Sequence, residues 1–250
     1  SSEKYGIELL PTTPTFLRLL SLYPDLRNKF PKSIKIISYG TERLDEVTLN
    51  LLCKELPNVD FRQTYGMSEL GILRIKSYAR DSLFMKVGGE GVETKIEDNI
   101  LYIKAENRML GYLNAPSPFD DEGWYCTKDI VETIEGDFLK IVGRDSDLIN
   151  IGGLKFMPSE VEIECLRINK VKYAKAIGRS NPITGQHVEL LVEVDNCKDT
   201  NLFKKFLFSE LKKKLPRHMV PLKIKFENLK ISHRFKKLWG KLEYENRSNY

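Results

Sequence analysis

Cysteine is scarce in this sequence and is never paired. Cys53, Cys126, Cys165 and Cys197 are spread along the chain, with no Cys-x-x-Cys spacing and no neighbouring histidine. Structural metal centres need clustered ligands, and disulfide frameworks need regularly spaced cysteines. The pattern argues against both kinds of site. It is typical of a reducing compartment, and we expect the protein to be cytoplasmic.

A long hydrophobic run is also absent. No stretch approaches the roughly 18 consecutive apolar residues that cross a bilayer, so we expect no membrane span. The first residues, Ser1-Ser2-Glu3-Lys4, contain neither an initiator methionine nor the apolar core of a signal peptide. We therefore expect the chain to begin inside a longer polypeptide. The composition is otherwise that of a globular protein, with 41% hydrophobic and 30% charged residues.

The net charge is unevenly distributed. The whole chain carries +5, whereas residues 201–250 contain 14 Lys and Arg against 4 Glu, so this segment carries +10 and the rest −5. A basic end can bind nucleic acid or phosphorylated ligands, or it can be a solvated lysine-rich surface. The cations are not interleaved with aromatic residues on a sheet face, and we therefore expect no nucleic-acid partner.

Alternating helices and strands are predicted for the first third of the chain. Residues 14–20 have helical apolar spacing, with Thr13 as a cap before Pro14. Residues 34–39 and 59–65 are predicted to be buried parallel strands. An amphipathic helix connects them and spans residues 44–56. Its expected apolar stripe consists of Leu44, Val47, Leu51 and Leu52. Ligands collect at the C-terminal ends of the strands in such a βαβ unit.

The remaining sequence predicts two further regions. Residues 85–144 contain short strands between turn residues, which indicates a small antiparallel β subdomain or barrel. Residues 145–250 predict a separate, mobile, small α+β domain. Its expected elements are helices at 158–166 and 202–215 and strands at 174–178, 188–194 and 224–226. The predicted fold class is thus an α/β domain over residues 1–84 with a β subdomain, followed by a small α+β C-terminal domain.

A cluster of small and polar residues follows the second predicted strand, at residues 65–69 (Tyr-Gly-Met-Ser-Glu). Gly66 would let the backbone approach a phosphate, and the Ser68 hydroxyl could bond to its oxygens. The Glu69 carboxylate is suited to Mg²⁺, which prefers oxygen ligands shared with substrate phosphates. The same pattern fits a strand-to-helix turn in which Ser68 caps the helix.

Two further motifs place polar groups at strand ends. The segment Gly-Trp-Tyr-Cys-Thr-Lys-Asp ends at Asp129, whose carboxylate can accept two hydrogen bonds from a ribose diol. Alternatively, Asp129 is a surface residue of a hairpin. Arg144 offers a planar donor fork for ribose or phosphate oxygens, and Gly152-Gly153 allows a close backbone approach.

In this order, these motifs resemble the core motifs of the AMP-forming adenylate superfamily, which contains acyl-CoA synthetases, adenylation domains of peptide synthetases and luciferase-like enzymes. The resemblance covers essentially the whole chain. It implies activation of a small-molecule carboxylic acid by ATP as an acyl-adenylate, with release of pyrophosphate. The acyl group then passes to the thiol of CoA or of the phosphopantetheine arm of an acyl carrier protein. Further matching segments lie at residues 10–16, 40–42, 111–113, 119–124 and 215–221.

The resemblance also implies roles for individual residues. Those near the nucleotide would be Gly40, Thr41 and Glu42 at the adenine, Ser68 at the α-phosphate, and Asp129 and Arg144 at the ribose. Tyr65 and Gly66, in the same motif as Ser68, would also bind the nucleotide. Glu69 would hold Mg²⁺. Lys155 would lie near the adenylate, and Gly152 and Gly153 would line the pantetheine tunnel.

The catalytic lysine that the family implies has two candidates. Counting from residues 219–221 favours Lys236, although Phe235 stands where glycine is usual. A Gly-Lys pair follows at Gly240 and Lys241. Lys128 and Ser146 also replace the family's usual residues. A non-catalytic relative that binds nucleotide or a partner protein would explain these departures.

A Gly/Ser/Thr-rich phosphate loop ending in lysine does not occur in the sequence. In the family this loop lies upstream of the segments that match here. We therefore expect this chain to hold the adenosine end of ATP or AMP and to be inactive by itself. The upstream half of the same enzyme would then be its partner.

Overall fold

The computed structural model describes residues 3–195, 199–227, 230–231 and 237–238. The chain divides into two compact units, Ser1–Ser146 and Asp147–Tyr250. Both candidates for the catalytic lysine, Lys236 and Lys241, lie outside the described residues. Within the described ranges, no helix combines the length and the apolar character needed to cross a bilayer.

The first unit begins with a parallel sheet of three strands, which lie side by side in chain order. Thr13 accepts a hydrogen bond from the Phe16 N–H at 3.2 Å, and this cap begins the first helix as predicted. The Arg80 guanidinium donates to the Leu56 carbonyl at 2.5 Å, just beyond the end of the third helix. The elements are β1 (Leu9–Thr12), α1 (Pro14–Ser21), α2 (Leu26–Lys29), β2 (Ile36–Tyr39), α3 (Glu46–Glu55) and β3 (Asp60–Gln63). The predicted βαβ unit is confirmed.

The apolar stripe predicted for α3 is wrong in part. Leu51 is 42% exposed, although it was expected on the buried stripe. Asp45 caps the helix by accepting from the Thr48 N–H at 2.8 Å, and the helix then turns Thr48, Leu49, Leu52 and Cys53 inward. Leu51 lies one residue from this set, so the helical rotation of about 100° per residue carries it toward solvent.

Antiparallel strands form the rest of the first unit. A short hairpin, β4 (Tyr65–Met67) and β5 (Gly71–Leu73), comes directly after β3. The main sheet contains β6 (Ile75–Ser77), β7 (Met85–Val87), β8 (Val92–Glu97), β9 (Ile100–Ala105), β10 (Tyr125–Ile134) and β11 (Phe138–Arg144). Its order, β6-β7-β11-β10-β9-β8, leaves β6 and β8 as edges, so the sheet is open. The left-handed pair Asp98-Asn99 makes the tight turn between β8 and β9.

The second unit packs two helices on a three-stranded sheet. Its elements are β12 (Ile149–Ile151), β13 (Leu154–Phe156), α4 (Pro158–Leu166), β14 (Val171–Asn181), β15 (Gly185–Val194), α5 (Thr200–Lys214) and β16 (Lys223–Phe226), followed by β17 (Lys230–Ile231) and β18 (Lys237–Leu238). The predicted helices and strands of this region are confirmed. Val161, Leu190 and Leu211 are fully buried in its core, which joins helix α4, strand β15 and helix α5.

Candidate functional site

The Asp129 carboxylate is the centre of the candidate site. Asp129 lies on β10 opposite Arg144 on β11, and it is only 5% exposed. Its Oδ2 accepts from the Tyr65 hydroxyl at 2.6 Å, and its Oδ1 accepts from Arg144 Nε at 3.2 Å. The interpretation of Asp129 as a surface residue of a hairpin is therefore wrong.

A local irregularity of β10 turns Asp129 inward. The pairing of β10 with β9 shifts register between Cys126 and Ile130, and Lys128 has a left-handed φ of 60°. Thr127 is buried and donates its hydroxyl proton to the Leu101 carbonyl at 2.7 Å. Its Oγ1 also accepts from the Asp129 N–H at 3.1 Å. These contacts leave Lys128 exposed and bury the side chains on either side of it.

Tyr65 is a neutral hydrogen-bond donor in this arrangement. Burial raises the pKa of its hydroxyl far above the ordinary range, and the negative charge of Asp129 and the hydrogen bond to it raise the pKa further. The hydroxyl proton therefore remains on Tyr65, where it stabilises the ionised carboxylate.

A second carboxylate, Glu69, lies in the turn of the β4–β5 hairpin. Tyr112 donates its hydroxyl proton to Glu69 Oε1, and the Met109 N–H donates to the Glu69 carbonyl at 2.9 Å. The hydrogen bond from Tyr112 is the main cause that lowers the pKa of Glu69. Partial burial opposes this effect, and a hydrogen bond from Tyr125 and the charge of Arg144 assist it. The Glu69 carboxylate is therefore ionised near neutral pH.

Ser68 and Gly66 belong to the same hairpin. Ser68 is an exposed turn residue between β4 and β5, and the alternative in which it caps a helix is wrong because the chain continues as a strand. A Cβ atom at Gly66 would lie 2.5 Å from the Gly71 carbonyl oxygen. The pairing of β4 with β5 thus requires a glycine at residue 66, independently of any phosphate.

The ends of β2 and β3 lie side by side. The Thr64 N–H donates to the Tyr39 carbonyl at 2.7 Å, and a Cβ atom at Gly40 would lie 2.0 Å from Thr64 Oγ1. Glu42 accepts a hydrogen bond from the Thr15 hydroxyl at 2.5 Å, and Thr41 has a left-handed φ of 70°. Segment 40–42 is thereby held next to the residue that precedes Tyr65.

The first unit therefore brings together most of the predicted nucleotide residues. Asp129 contacts Tyr65 and Arg144 directly, and the charge of Arg144 also acts on Glu69. Sequence reasoning assigned no role to Tyr112, although its segment, residues 111–113, stood among the motif matches. Tyr125 was also missed, because an aromatic residue in a strand ordinarily indicates packing.

Three predicted residues lie in the second unit, on the β12–β13 hairpin. Gly152 and Gly153 form its exposed turn, with φ of 60° and 88°. Lys155 is exposed on β13 and pairs with Asn150 across the hairpin. The left-handed φ values explain why the turn contains two glycines.

The chemistry of Glu69 fits Mg²⁺ shared with a substrate. No group of three or more His, Cys, Asp or Glu residues is arranged to hold a metal in the described part of the chain. Mg²⁺ that is bound to phosphate oxygens needs only one or two protein carboxylates. The ionised Glu69, in a half-buried turn beside the exposed Ser68, meets that requirement.

Comparisons with curated proteins identify plant and bacterial CoA ligases as relatives. The chain is 27% identical over 216 residues to 4-coumarate–CoA ligase 1 of Glycine max, covering 77% of this chain and 74% of that protein. It is 24% identical over 233 residues to 4-coumarate–CoA ligase 3 of Oryza sativa subsp. japonica, covering 83% and 42%. Identity to the long-chain-fatty-acid–CoA ligase of Yersinia pestis is 32% over 131 residues, covering 51% and 23%. The chain spans less than half the length of the last two relatives. A scan against models of protein families finds no match.

Solved structures of adenylate-forming enzymes share the fold. An anthranilate CoA ligase, AuaEII, in complex with anthranoyl-AMP superposes with a TM-score of 0.77 at 16% identity, over 99% of this chain and 50% of that one. ATP-bound MatB from Rhodopseudomonas palustris gives a TM-score of 0.78 at 23% identity, over 91% and 48%. At these identities the similarity establishes the fold.

Proposed function

We propose that this chain, which belongs to the AMP-forming adenylate superfamily, supplies the adenosine site and the thiol-transfer domain of a carboxylic acid–thiol ligase. The reaction consumes ATP, forms an acyl-adenylate and releases pyrophosphate. The acyl group then passes to the thiol of CoA or of a carrier protein's phosphopantetheine. The observation that carries the proposal is the buried Asp129 carboxylate, bonded to Tyr65 and Arg144.

Asp129 is the proposed acceptor for the ribose diol. Each oxygen of an ionised carboxylate has two acceptor positions, and Tyr65 and Arg144 occupy one on each oxygen. The remaining positions match the paired O–H donors of a ribose. Arg144, whose side chain is 64% exposed, has further N–H groups for ribose or phosphate oxygens.

Phosphate chemistry is assigned to the neighbouring hairpin. Attack of a carboxylate on the α-phosphate of ATP brings two anions together, so the site must supply positive charge. Mg²⁺ would neutralise phosphate charge when bound, and Glu69 would hold it. The exposed Ser68 hydroxyl would donate to the α-phosphate, and Lys236 or Lys241 would supply the cation.

Thiol transfer is assigned to the second unit. Gly152 and Gly153 would line the path of the thiol, and Lys155 would lie near the adenylate. A rotation about the segment around Ser146 would switch the enzyme from adenylation to thiol transfer, as domain closure does in other multistep enzymes. The short 3₁₀ turn at Asp145–Asp147 contains this residue.

Calorimetric titration of the chain with AMP tests the adenosine site apart from catalysis. The Asp129→Asn variant loses the charge of the acceptor, and each charge-assisted hydrogen bond contributes about 1.5–3 kcal/mol. AMP binding should therefore weaken at least roughly tenfold. The control is Asp137→Asn, in the turn between β10 and β11, where the side chain is 83% exposed. Equal affinity for AMP in the Asp129→Asn variant and the wild type would refute the assignment.

A non-catalytic nucleotide-binding relative is the second candidate. It is favoured by Lys128, an exposed cation at a left-handed position next to the proposed ribose acceptor. AMP binding without any pyrophosphate exchange, measured together with the upstream half expected from the family, would support this alternative.

A further inference from the structure

The Gly152–Gly153 turn is held by three hydrogen bonds. The Gly153 N–H donates to Asn150 Oδ1 at 3.0 Å, within the β12–β13 hairpin. The Gly152 N–H donates to the Thr184 carbonyl at 2.9 Å, and the Asn150 N–H donates to Gln186 Oε1 at 2.7 Å. Two of the three bonds therefore come from outside the hairpin, one from the turn that joins β14 and β15 and one from the start of β15.

The turn between β14 and β15 is itself well determined. Asn181 Oδ1 accepts from the N–H groups of Ile183 at 2.9 Å and Thr184 at 3.2 Å. The Thr184 hydroxyl donates to the Gln186 carbonyl at 2.7 Å. These local bonds fix Thr184 and Gln186, the two residues that contact the hairpin, relative to each other.

Gly178 on β14 provides space for the Gln186 side chain. A Cβ atom at residue 178 would lie 3.1 Å from Gln186 Oε1 and 3.2 Å from its Cδ and Nε2. This is closer than ordinary van der Waals contact, so a side chain at residue 178 would displace the amide group. The shift would be a few tenths of an ångström, so the glycine leaves the Gln186 amide undisturbed at this position.

Apolar packing of the hairpin ends just before this turn, where the partly buried Ile151 contacts the core of the unit. A cleft of about 500 Å³ opens beside the hydrogen bonds, and it is lined by Leu148, Asn150, Gly153, Thr184, Gly185 and Gln186. Gly152 and Gly153 are exposed and have no side chains to pack. Hydrogen bonds, together with the packing of the neighbouring Ile151, therefore determine where the turn lies.

We infer that Gln186 is a positioning residue for thiol transfer, because it fixes the Gly152–Gly153 turn through the backbone of Asn150. The role of the turn in thiol transfer rests on the proposed function, whereas the anchoring of the turn does not. Gln186 touches neither thiol nor adenylate in this assignment. It acts by holding the Gly152–Gly153 turn at a constant distance from the start of β15.

Amide hydrogen exchange of the whole chain tests the anchoring alone. In Gln186→Leu the Asn150 N–H loses its acceptor, and its exchange should accelerate roughly tenfold, the effect of one hydrogen bond. Gln186→Glu retains an oxygen acceptor and should keep the protection of the wild type. The control is Ile183→Ala in the same turn, whose side chain is 91% exposed. Unchanged exchange at Asn150 in Gln186→Leu would overturn the inference.

Thioester formation from preformed 4-coumaroyl-adenylate and CoA, measured together with the upstream half expected from the family, tests the role in transfer. This probe is chosen because matched relatives are 4-coumarate–CoA ligases. Gln186→Leu should raise the KM for CoA several-fold, and Gln186→Glu should restore it, while AMP affinity stays unchanged. An unchanged KM would overturn the role in transfer, and a loss of AMP affinity would indicate general destabilisation and also overturn it. If the wild type forms no thioester, the proposed function fails for this probe, and the exchange result still decides the anchoring.

Discussion

At the scale of single residues, Lys128 adopts a backbone conformation that favours glycine. Its φ is 60°, and the left-handed region costs a residue with a side chain about 1–2 kcal/mol. Lys128→Gly removes this cost but adds freedom to the unfolded chain, so we expect a net stabilisation of about 0.5–1 kcal/mol. Urea denaturation measures it. The control is Lys104→Gly, within strand β9, which should destabilise the protein. A Lys128→Gly variant that is less stable than the wild type would contradict the proposed backbone strain at residue 128.

The two candidate lysines can be separated by pyrophosphate exchange, measured together with the upstream half expected from the family. We expect Lys236→Ala to slow adenylation roughly 10²–10³-fold, the scale of losing one preorganised electrostatic contact, and Lys241→Ala to retain it. Thioester formation from preformed adenylate should survive both changes, because that step uses the rotated domain. Loss in Lys241→Ala alone would show that counting from residues 219–221 is wrong. Full exchange in both variants would show that neither lysine supplies the cation, whereas no exchange in the wild type would favour the non-catalytic alternative.

The Asp45 carboxylate should contribute to the free energy of unfolding, and this contribution should be lost in acid. Burial by itself would raise the pKa of this carboxyl, but the Arg18 guanidinium and the Thr48 donors outweigh burial and hold the pKa below its ordinary value of 3.8. The unfolded chain therefore binds a proton at a higher pH than the folded chain. The contribution is complete above the ordinary pKa and is lost as the pH falls through the folded value.

The measurement is the free energy of unfolding between about pH 6 and pH 3. Wild type should lose more stability over this range than Asp45→Asn, which has no carboxyl to protonate. Asp60→Asn, at an exposed ion pair with Arg62, is the matched control and should follow the wild type. Parallel curves for wild type and Asp45→Asn would contradict the prediction.

At the scale of elements, local sequence predicts helices well and contacts between loops poorly. Thr13 with Pro14 and the proline at residue 158 mark helix starts that the structure confirms. The β4–β5 hairpin was missed because a serine after a strand resembles a helix cap. Tyr112 reaches Glu69 across 43 residues of sequence, and no local pattern encodes that contact.

The candidate site, too, could be predicted from the sequence only in part. The polar residues at the strand ends could be identified from the sequence, because their types and order resemble a known family. The burial of Asp129 could not, since it depends on the irregular register of β10 beside Lys128. The motif identifies Asp129 as the candidate carboxylate. The irregular register of β10 determines the direction in which its side chain points.

At the scale of the whole molecule, each compact unit has buried clusters of its own. Leu211→Ala removes a fully buried side chain from the second unit and should cost about 2–5 kcal/mol. We expect faster amide exchange throughout residues 147–227 and unchanged AMP affinity. Leu49→Ala, at an equally buried position of the first unit, should accelerate amide exchange in the first unit and weaken AMP binding. It should leave the exchange of residues 147–227 unchanged. Loss of protection in both units from either change would show that they unfold as one.

Gly152 and Gly40 are required for different physical reasons. A saturation library selected for folding should therefore tolerate different substitutions at the two positions. At residue 152 the restriction is conformational, because φ is 60° and nothing lies within 4 Å of a Cβ atom. Asparagine and aspartate tolerate that region, so the library should retain them there. At residue 40 the restriction is spatial, because Thr64 Oγ1 would lie 2.0 Å from the first added atom. The residue-64 carbonyl oxygen would lie 2.9 Å from the same atom, so position 40 should retain glycine even in clones that carry alanine or glycine at position 64.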